Sequence, residues 1–147
     1  MSNEVKKKVS DYLSSHPYLN LATVCPDGTP LAHTLGYASD GATVYFMTDK
    51  NSRKAKNMST CPSVAYTVDE DHTELARIQG IQMTAQAEVL TDGAEIQKVL
   101  EIMTGKFPNM RDIPENPDYV FYKVTPVEAQ FIDNRVSFGY RETVQYW

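Results

Sequence analysis

Val44 to Val68 reads VYFMTDKNSRKAKNMSTCPSVAYTV, an alternating apolar run, a polar turn with two adjacent cations, and a second apolar run. The pattern predicts a strand, the start of a helix, and a returning strand. Ser52 is a suitable N-cap, so Arg53 and Lys54 fall in the first helical turn, where unsatisfied backbone N–H groups already favour an anion. Thr48 ends the preceding strand with a hydroxyl beside the same turn, and Met47 precedes it. Arg53 offers a planar fork to phosphate oxygens and Lys54 a mobile point charge. Each charge-assisted hydrogen bond contributes about 1.5 to 3 kcal/mol, so two or three would anchor a phosphate. Two readings stand at this point: a phosphate grip, or a capped surface helix with solvated cations.

Towards the N-terminus, Leu19–Cys25 and Leu31–Ala38 read as strands joined by a Pro26-Asp27-Gly28-Thr29-Pro30 turn, and Ser39-Asp40-Gly41 leads to a third strand over Ala42–Met47. The expectation is a three-stranded antiparallel meander. Gly36 weakens the middle strand unless the backbone bulges there or lies against something flat, and both readings remain open. Val5, Val9, Tyr12 and Leu13 form one helical stripe, with Lys6, Lys7 and Lys8 as a solvated face and Pro17 closing the segment.

Towards the C-terminus, Glu70–Glu74 is an acidic loop and Ala76–Leu90 a long alternating strand. Asp92 caps a helix with Ile96, Val99, Leu100 and Met103 at helical spacing, ending near Gly105. Phe107–Pro117, with three prolines, reads as a loop, and Tyr119–Val124 and Val127–Ile132 as two strands hinged at Pro126. The tail Asp133–Trp147 carries rings between charges, a composition that docks rather than staying disordered. The sum is a mainly β protein, a six- to seven-stranded antiparallel barrel with two or three peripheral helices.

At 147 residues the expectation is one domain over 1–147, with a helix in 1–18 and a tail in 133–147. A net charge of -5 argues against nucleic-acid or membrane-surface binding, and no run approaches the roughly 20 apolar residues of a membrane span. Cys25 and Cys61 lie in neither a redox nor a zinc spacing, which fits a reduced cytoplasmic protein. His16, His33 and His72 are dispersed, so no metal site is expected, and no catalytic acid–base set can be assigned.

Taken together, the Asp27–Pro30 turn, the strand ending Phe46-Met47-Thr48, the run Asn51-Ser52-Arg53-Lys54-Ala55 and Cys61-Pro62-Ser63-Val64 resemble the pyridoxamine 5'-phosphate oxidase-like family of FMN-binding split barrels. The similarity runs from about Leu19 to Leu90 and more weakly to the end. The resemblance implies that Thr48, Arg53 and Lys54 hold the FMN phosphate, with Met47 and Ser52 beside them as further cofactor-binding candidates. His33, Thr34, Leu35, Gly36 and Tyr37 would line the flavin ring, largely through backbone. It also implies a homodimer with FMN at the interface, where Gln79 and Gly80 reach the flavin from the second subunit and Tyr140 and Trp147 are candidates to cover it. The true oxidases carry cations where His33 and Ala38 stand here, and end in an Arg-containing segment where this chain has Tyr146-Trp147. The resemblance thus points to a flavin reductase or other small-substrate oxidoreductase, with a nicotinamide donor or small-molecule substrate, rather than a pyridoxamine phosphate oxidase. The alternatives are a non-enzymatic FMN-binding or electron-carrier module, and a barrel that has exchanged FMN for haem or a deazaflavin.

Overall fold

The computed structural model describes residues 2–147. Helix α1 (Ser2–Ser15) buries Val5, Val9, Tyr12 and Leu13, the stripe expected from their spacing. At about 1.5 to 3 kcal/mol for each large apolar side chain, that burial outweighs its exposed ion pairs, such as Lys7 with Asp11 at 2.6 Å.

The strands are β1 (Tyr18–Val24), β2 (Pro30–Gly36), β3 (Ala38–Asp40), β4 (Thr43–Asp49), β5 (Ser63–Val68), β6 (Gln79–Val89), β7 (Tyr119–Asp133) and β8 (Arg141–Gln145), with helices α2 (Arg53–Thr60) and α3 (Gly93–Lys106) between them. All pairings are antiparallel, in the order β2-β1-β5-β6-β7-β4-β3, and β8 adds to β7. Gly28 and Gly41 supply the positive φ, 90° and 60°, of the two tight turns.

The two ends of that strand order, β2 and β3, are one extended stretch of chain interrupted at Tyr37. The sheet therefore curls until its ends meet through a covalent link. This is a mainly β, antiparallel split barrel with three outer helices, as expected. The meander differs from expectation. The middle strand breaks at Tyr37, pairing with β1 before it and with β4 after it, and β4 runs along β7 instead. The cause is the Tyr37 side chain, fully buried, whose hydroxyl donates to the Leu13 carbonyl at 2.6 Å.

The two strands expected around Pro126 are one continuous β7. Thr84 pairs with Glu128 and Ala85 with Pro126, so Val127 is an extra residue in a bulge, which accommodates the missing proline N–H. The Val127 carbonyl instead accepts the Tyr146 N–H at 2.7 Å. The tail docks on its own sheet through β8.

Two apolar clusters result. One fills the barrel around Leu19, Phe46, Tyr66, Ile81, Met83 and Phe131. The other, Ala38, Tyr45, Leu90, Val99 and Met103, sits outside it, where α3 covers β3 and β4.

Candidate functional site

Beyond the short β3–β4 pairing, β2 and β4 diverge. Pro30–Gly36 pairs only with β1, and Phe46–Asp49 only with β7, so among the described residues each leaves one backbone edge without a strand partner. These two edges bound the split.

At its lower end, β4 turns into α2. Asp49 shapes the turn by accepting the Asn51 N–H at 2.8 Å, and Asp118 ties it down through Asn51 at 3.3 Å and Lys50 at 3.5 Å. Ser52 is the N-cap, its hydroxyl accepting the Ala55 N–H at 3.3 Å, and the Thr48 hydroxyl lies 3.4 Å from that of Ser52. Among the described residues, no carboxylate lies within ion-pair distance of Arg53 or Lys54.

His33 belongs to the same place. It lies opposite Leu21 in register and is half-buried, and its Nε2 is buried without a hydrogen-bond partner. Burial, then the charges of Lys54 and Arg53, hold its pKa below the usual imidazole value, so the ring is neutral at pH 7. Two hydroxyls, two uncompensated cations and a helix N-terminus form a donor set of the kind that holds a phosphate monoester. The buried histidine nitrogen beside them is an unmet hydrogen bond worth about 1 to 3 kcal/mol.

The remaining predicted residues separate. Thr34 faces outward and donates to Asn20 Oδ1 at 3.3 Å, and Leu35 packs against the barrel core. Tyr37 points away from the split towards α1, so only its backbone could border a ligand there. Gly36 and Met47 face a cleft of about 400 Å³ at the upper end of the split. Gln79 donates to Asp133 at 3.2 Å, while Gly80 packs its Cα beside the Val68 carbonyl. Trp147 is 79% exposed. Thr48 pairs with Val120 and Gln79 with Asp133, 13 residues further along β7, which at about 3.3 Å per residue is roughly 40 Å of strand. Within one chain, Gln79 and Gly80 are therefore not brought to the grip.

The sequence reading missed Tyr18, Met103, Phe107, Met110 and Ile113, which line the upper cleft. Three prolines concealed a short 3-10 turn over Pro108–Asp112, and nothing local indicated that it folds back over the split. The other two histidines are committed elsewhere. His16 stacks on Tyr12 at 3.8 Å, and both His16 and His72 approach Glu70, at 3.4 and 3.2 Å. Among the described residues no three His, Cys, Asp or Glu side chains are grouped to hold a metal, and no helix is long and apolar enough to cross a membrane.

An antiparallel split barrel with two hydroxyls and two cations gathered at the start of α2 defines the class. The chain belongs to the pyridoxamine 5'-phosphate oxidase family, whose model matches residues 5–133. Among curated relatives, protein YhbP of Salmonella paratyphi A is 28% identical over 103 residues, 70% of this chain and 67% of that protein. General stress protein 26 of Bacillus subtilis is 25% identical over 130 residues, 88% of this chain and 89% of that protein. Among solved structures, the haem-storage protein HutZ of Vibrio cholerae superimposes with a TM-score of 0.70 at 21% identity, covering 82% of this chain and 88% of HutZ.

Proposed function

We propose that the protein is an FMN-binding oxidoreductase that acts on a small substrate, in the manner of a flavin reductase, and not a pyridoxamine phosphate oxidase. The observation that carries this reading is the convergence of Thr48, Ser52, Arg53, Lys54 and His33 at one end of a split whose backbone edges are unpaired. Arg53 and Lys54 neutralise the phosphate, the two hydroxyls and the first turn of α2 donate to its oxygens, and the β2 edge from His33 to Gly36 borders the ring. FMN, when bound, supplies the hydride and electron transfer. The protein positions it and shields it from water.

The same reading makes the molecule a homodimer. Asn20, Ala22, Ala65, Thr67, Gln82 and Thr84 lie side by side on the outer sheet face, a surface poor in charge, as interface centres are. A second copy seated there is the route by which Gln79 and Gly80, distant from the grip in their own chain, reach the flavin of the partner. Cytoplasmic residence accords with the two free cysteines.

Haem is the competing cofactor, favoured by the likeness to HutZ and by a neutral histidine without a partner. A bond to iron would need the buried His33 Nε2 to become accessible, whereas the Ser52 hydroxyl and the two cations already stand together at the start of α2. The test is the visible spectrum of untreated protein together with stopped-flow reduction by NADH or NADPH. A flavin spectrum reduced within seconds supports the oxidoreductase. A flavin that no nicotinamide reduces identifies a carrier or storage module instead.

A further inference from the structure

The turn that joins β7 to β8 displays apolar side chains on a rigid frame. The Asp133 N–H donates to the Tyr140 carbonyl at 2.9 Å, the Gly139 N–H to Asn134 Oδ1 at 2.9 Å, and Arg135 forks onto both oxygens of Asp133 at 3.0 and 3.1 Å. Asn134 fastens the turn to the chain before β6, donating from its N–H to the Ile78 carbonyl at 2.9 Å and from its side chain to the Leu75 carbonyl at 2.8 Å. On this frame Val136 and Phe138 stand 63% and 76% exposed, and Leu75 is 58% exposed. Grouped exposed apolar side chains mark a contact surface, and a turn already held by this many bonds loses little further freedom on binding.

The opposite end of β7 carries a second such surface. The chain enters that strand through Ile113 and Tyr119, both partly exposed, with Pro114 and Pro117 between them. These four side chains, with Leu100 and Phe121, line a recess of about 570 Å³ on the far side of Met47 from the flavin cleft. In this segment Asp112 and Glu115 outnumber Arg111, and none of the three has an ion-pair partner among the described residues. Arg141, at the foot of the β7–β8 turn, donates to the Gln130 amide oxygen at 3.1 Å and meets no carboxylate. The two ends are thus both apolar and opposite in unpaired charge.

The register of β7 brings them together in a dimer. Val120 pairs with Thr48 at the grip and Asp133 with Gln79, and midway between them lies the Pro126–Val127 bulge, opposite Thr84 and Ala85. Thr84 is on the outer face assigned above to the dimer. For Gln79 to reach the grip of a second copy, the two-fold axis between the faces must run across the strands at that level, which lays the Asp133 end of one β7 over the Val120 end of the other. The turn continues about three residues beyond Asp133, roughly 10 Å at 3.3 Å per residue. It therefore overhangs the stretch that precedes Val120 in the second copy, Ile113 to Tyr119.

We propose that the two ends of β7 form a reciprocal clasp in the homodimer, with Val136 and Phe138 of each chain seated in the recess lined by Ile113, Pro117 and Tyr119 of the other. The proposal rests on the dimer read from the outer sheet face, and not on the identity of the cofactor. The contact is isologous, so it is made twice, once at each end of the dimer.

Cross-linking between differently tagged, coexpressed chains tests it. Both chains carry Cys25→Ser and Cys61→Ser; one has Phe138→Cys and the other Ile113→Cys. A short bismaleimide is expected to join them into a covalent heterodimer. Neither chain is expected to be joined to its own kind, because the two turns lie at opposite ends of the dimer. Phe138 is exposed within its own chain, so Phe138→Glu is compatible with folding and is expected to raise the dimer dissociation constant at least tenfold in sedimentation. A dimer in which Phe138→Cys and Ile113→Cys are not joined, one in which two Phe138→Cys chains are joined to each other, or undiminished dimerisation of Phe138→Glu would overturn the clasp and leave the dimer standing. A wild type that sediments as a monomer would overturn both.

Discussion

The Tyr37 hydroxyl donates to the carbonyl of Leu13 at 2.6 Å, linking the end of α1 to the break between β2 and β3 across 24 residues of sequence. That bond holds the point where the barrel closes and the split begins. In Tyr37→Phe the Leu13 carbonyl keeps only the longer contact from Lys106 Nζ, at 3.4 Å. The expected loss of unfolding free energy is about 1 to 2 kcal/mol, read from urea denaturation. No loss would mean the break in the strand has another cause.

Lys106 has a depressed pKa, pushed down to about 8 because its ammonium is desolvated over the Tyr37 ring, 3.8 Å from the centroid. The folded state therefore releases this proton earlier than the unfolded state, whose lysine titrates near its ordinary value. Between about pH 8 and the unfolded pKa near 10.5, the unfolded chain binds more protons, so this group makes stability rise with pH. Several buried tyrosines titrate in the opposite sense above pH 10, so the informative quantity is the difference from Lys106→Met. Denaturation at pH 7.5 and 9.5 is expected to show the wild type gaining on the variant at the higher pH. A constant difference would contradict the desolvated placement of the ammonium.

Ser52 caps α2 and, in the proposed reading, also donates to the FMN phosphate, and substitution can separate the two. Ser52→Asp keeps an acceptor for the Ala55 N–H and places a negative charge at the start of α2, which preserves or raises stability. The same carboxylate repels a phosphate. Apoprotein thermal unfolding is expected to be unchanged or higher, while the dissociation constant for FMN rises more than tenfold by fluorescence titration. Retained affinity would remove Ser52 from the anion site.

On the outer face, Ala22, Ala65 and Thr84 are neighbours in register across β1, β5 and β6. Ala65→Arg places a charge at the centre of that face without touching the barrel interior or the grip. Analytical ultracentrifugation is expected to show a dimer for the wild type and a monomer for the variant, with FMN affinity reduced. A dimer that persists in the variant would place the interface elsewhere.

What the sequence made legible was what depends on local chemistry. The Ser52 cap, the stripe of Val5, Val9, Tyr12 and Leu13, the Asp92 cap of α3 and the alternation of β6 all follow from spacing and side-chain type. What was not legible depends on partners distant in sequence. Tyr37 breaks its strand because of Leu13, Pro126 is absorbed by a bulge opposite Thr84 and Ala85, and Phe107 meets Gly36 only because the segment after α3 folds back across the split. The cluster from Thr48 to Lys54 was visible as a run of residues, but His33 comes beside it only through the pairing of β1 with β2.

The central claim is that Arg53 and Lys54 hold the phosphate of FMN, and the most direct measurement is the visible spectrum of purified wild type beside the Arg53→Ala, Lys54→Ala double variant. The account predicts flavin bands in the wild type, FMN as the mass of the released ligand, and loss of both in the variant with its unfolding temperature before loading unchanged. A Soret band in place of flavin bands, or flavin held as tightly by the double variant, would contradict it.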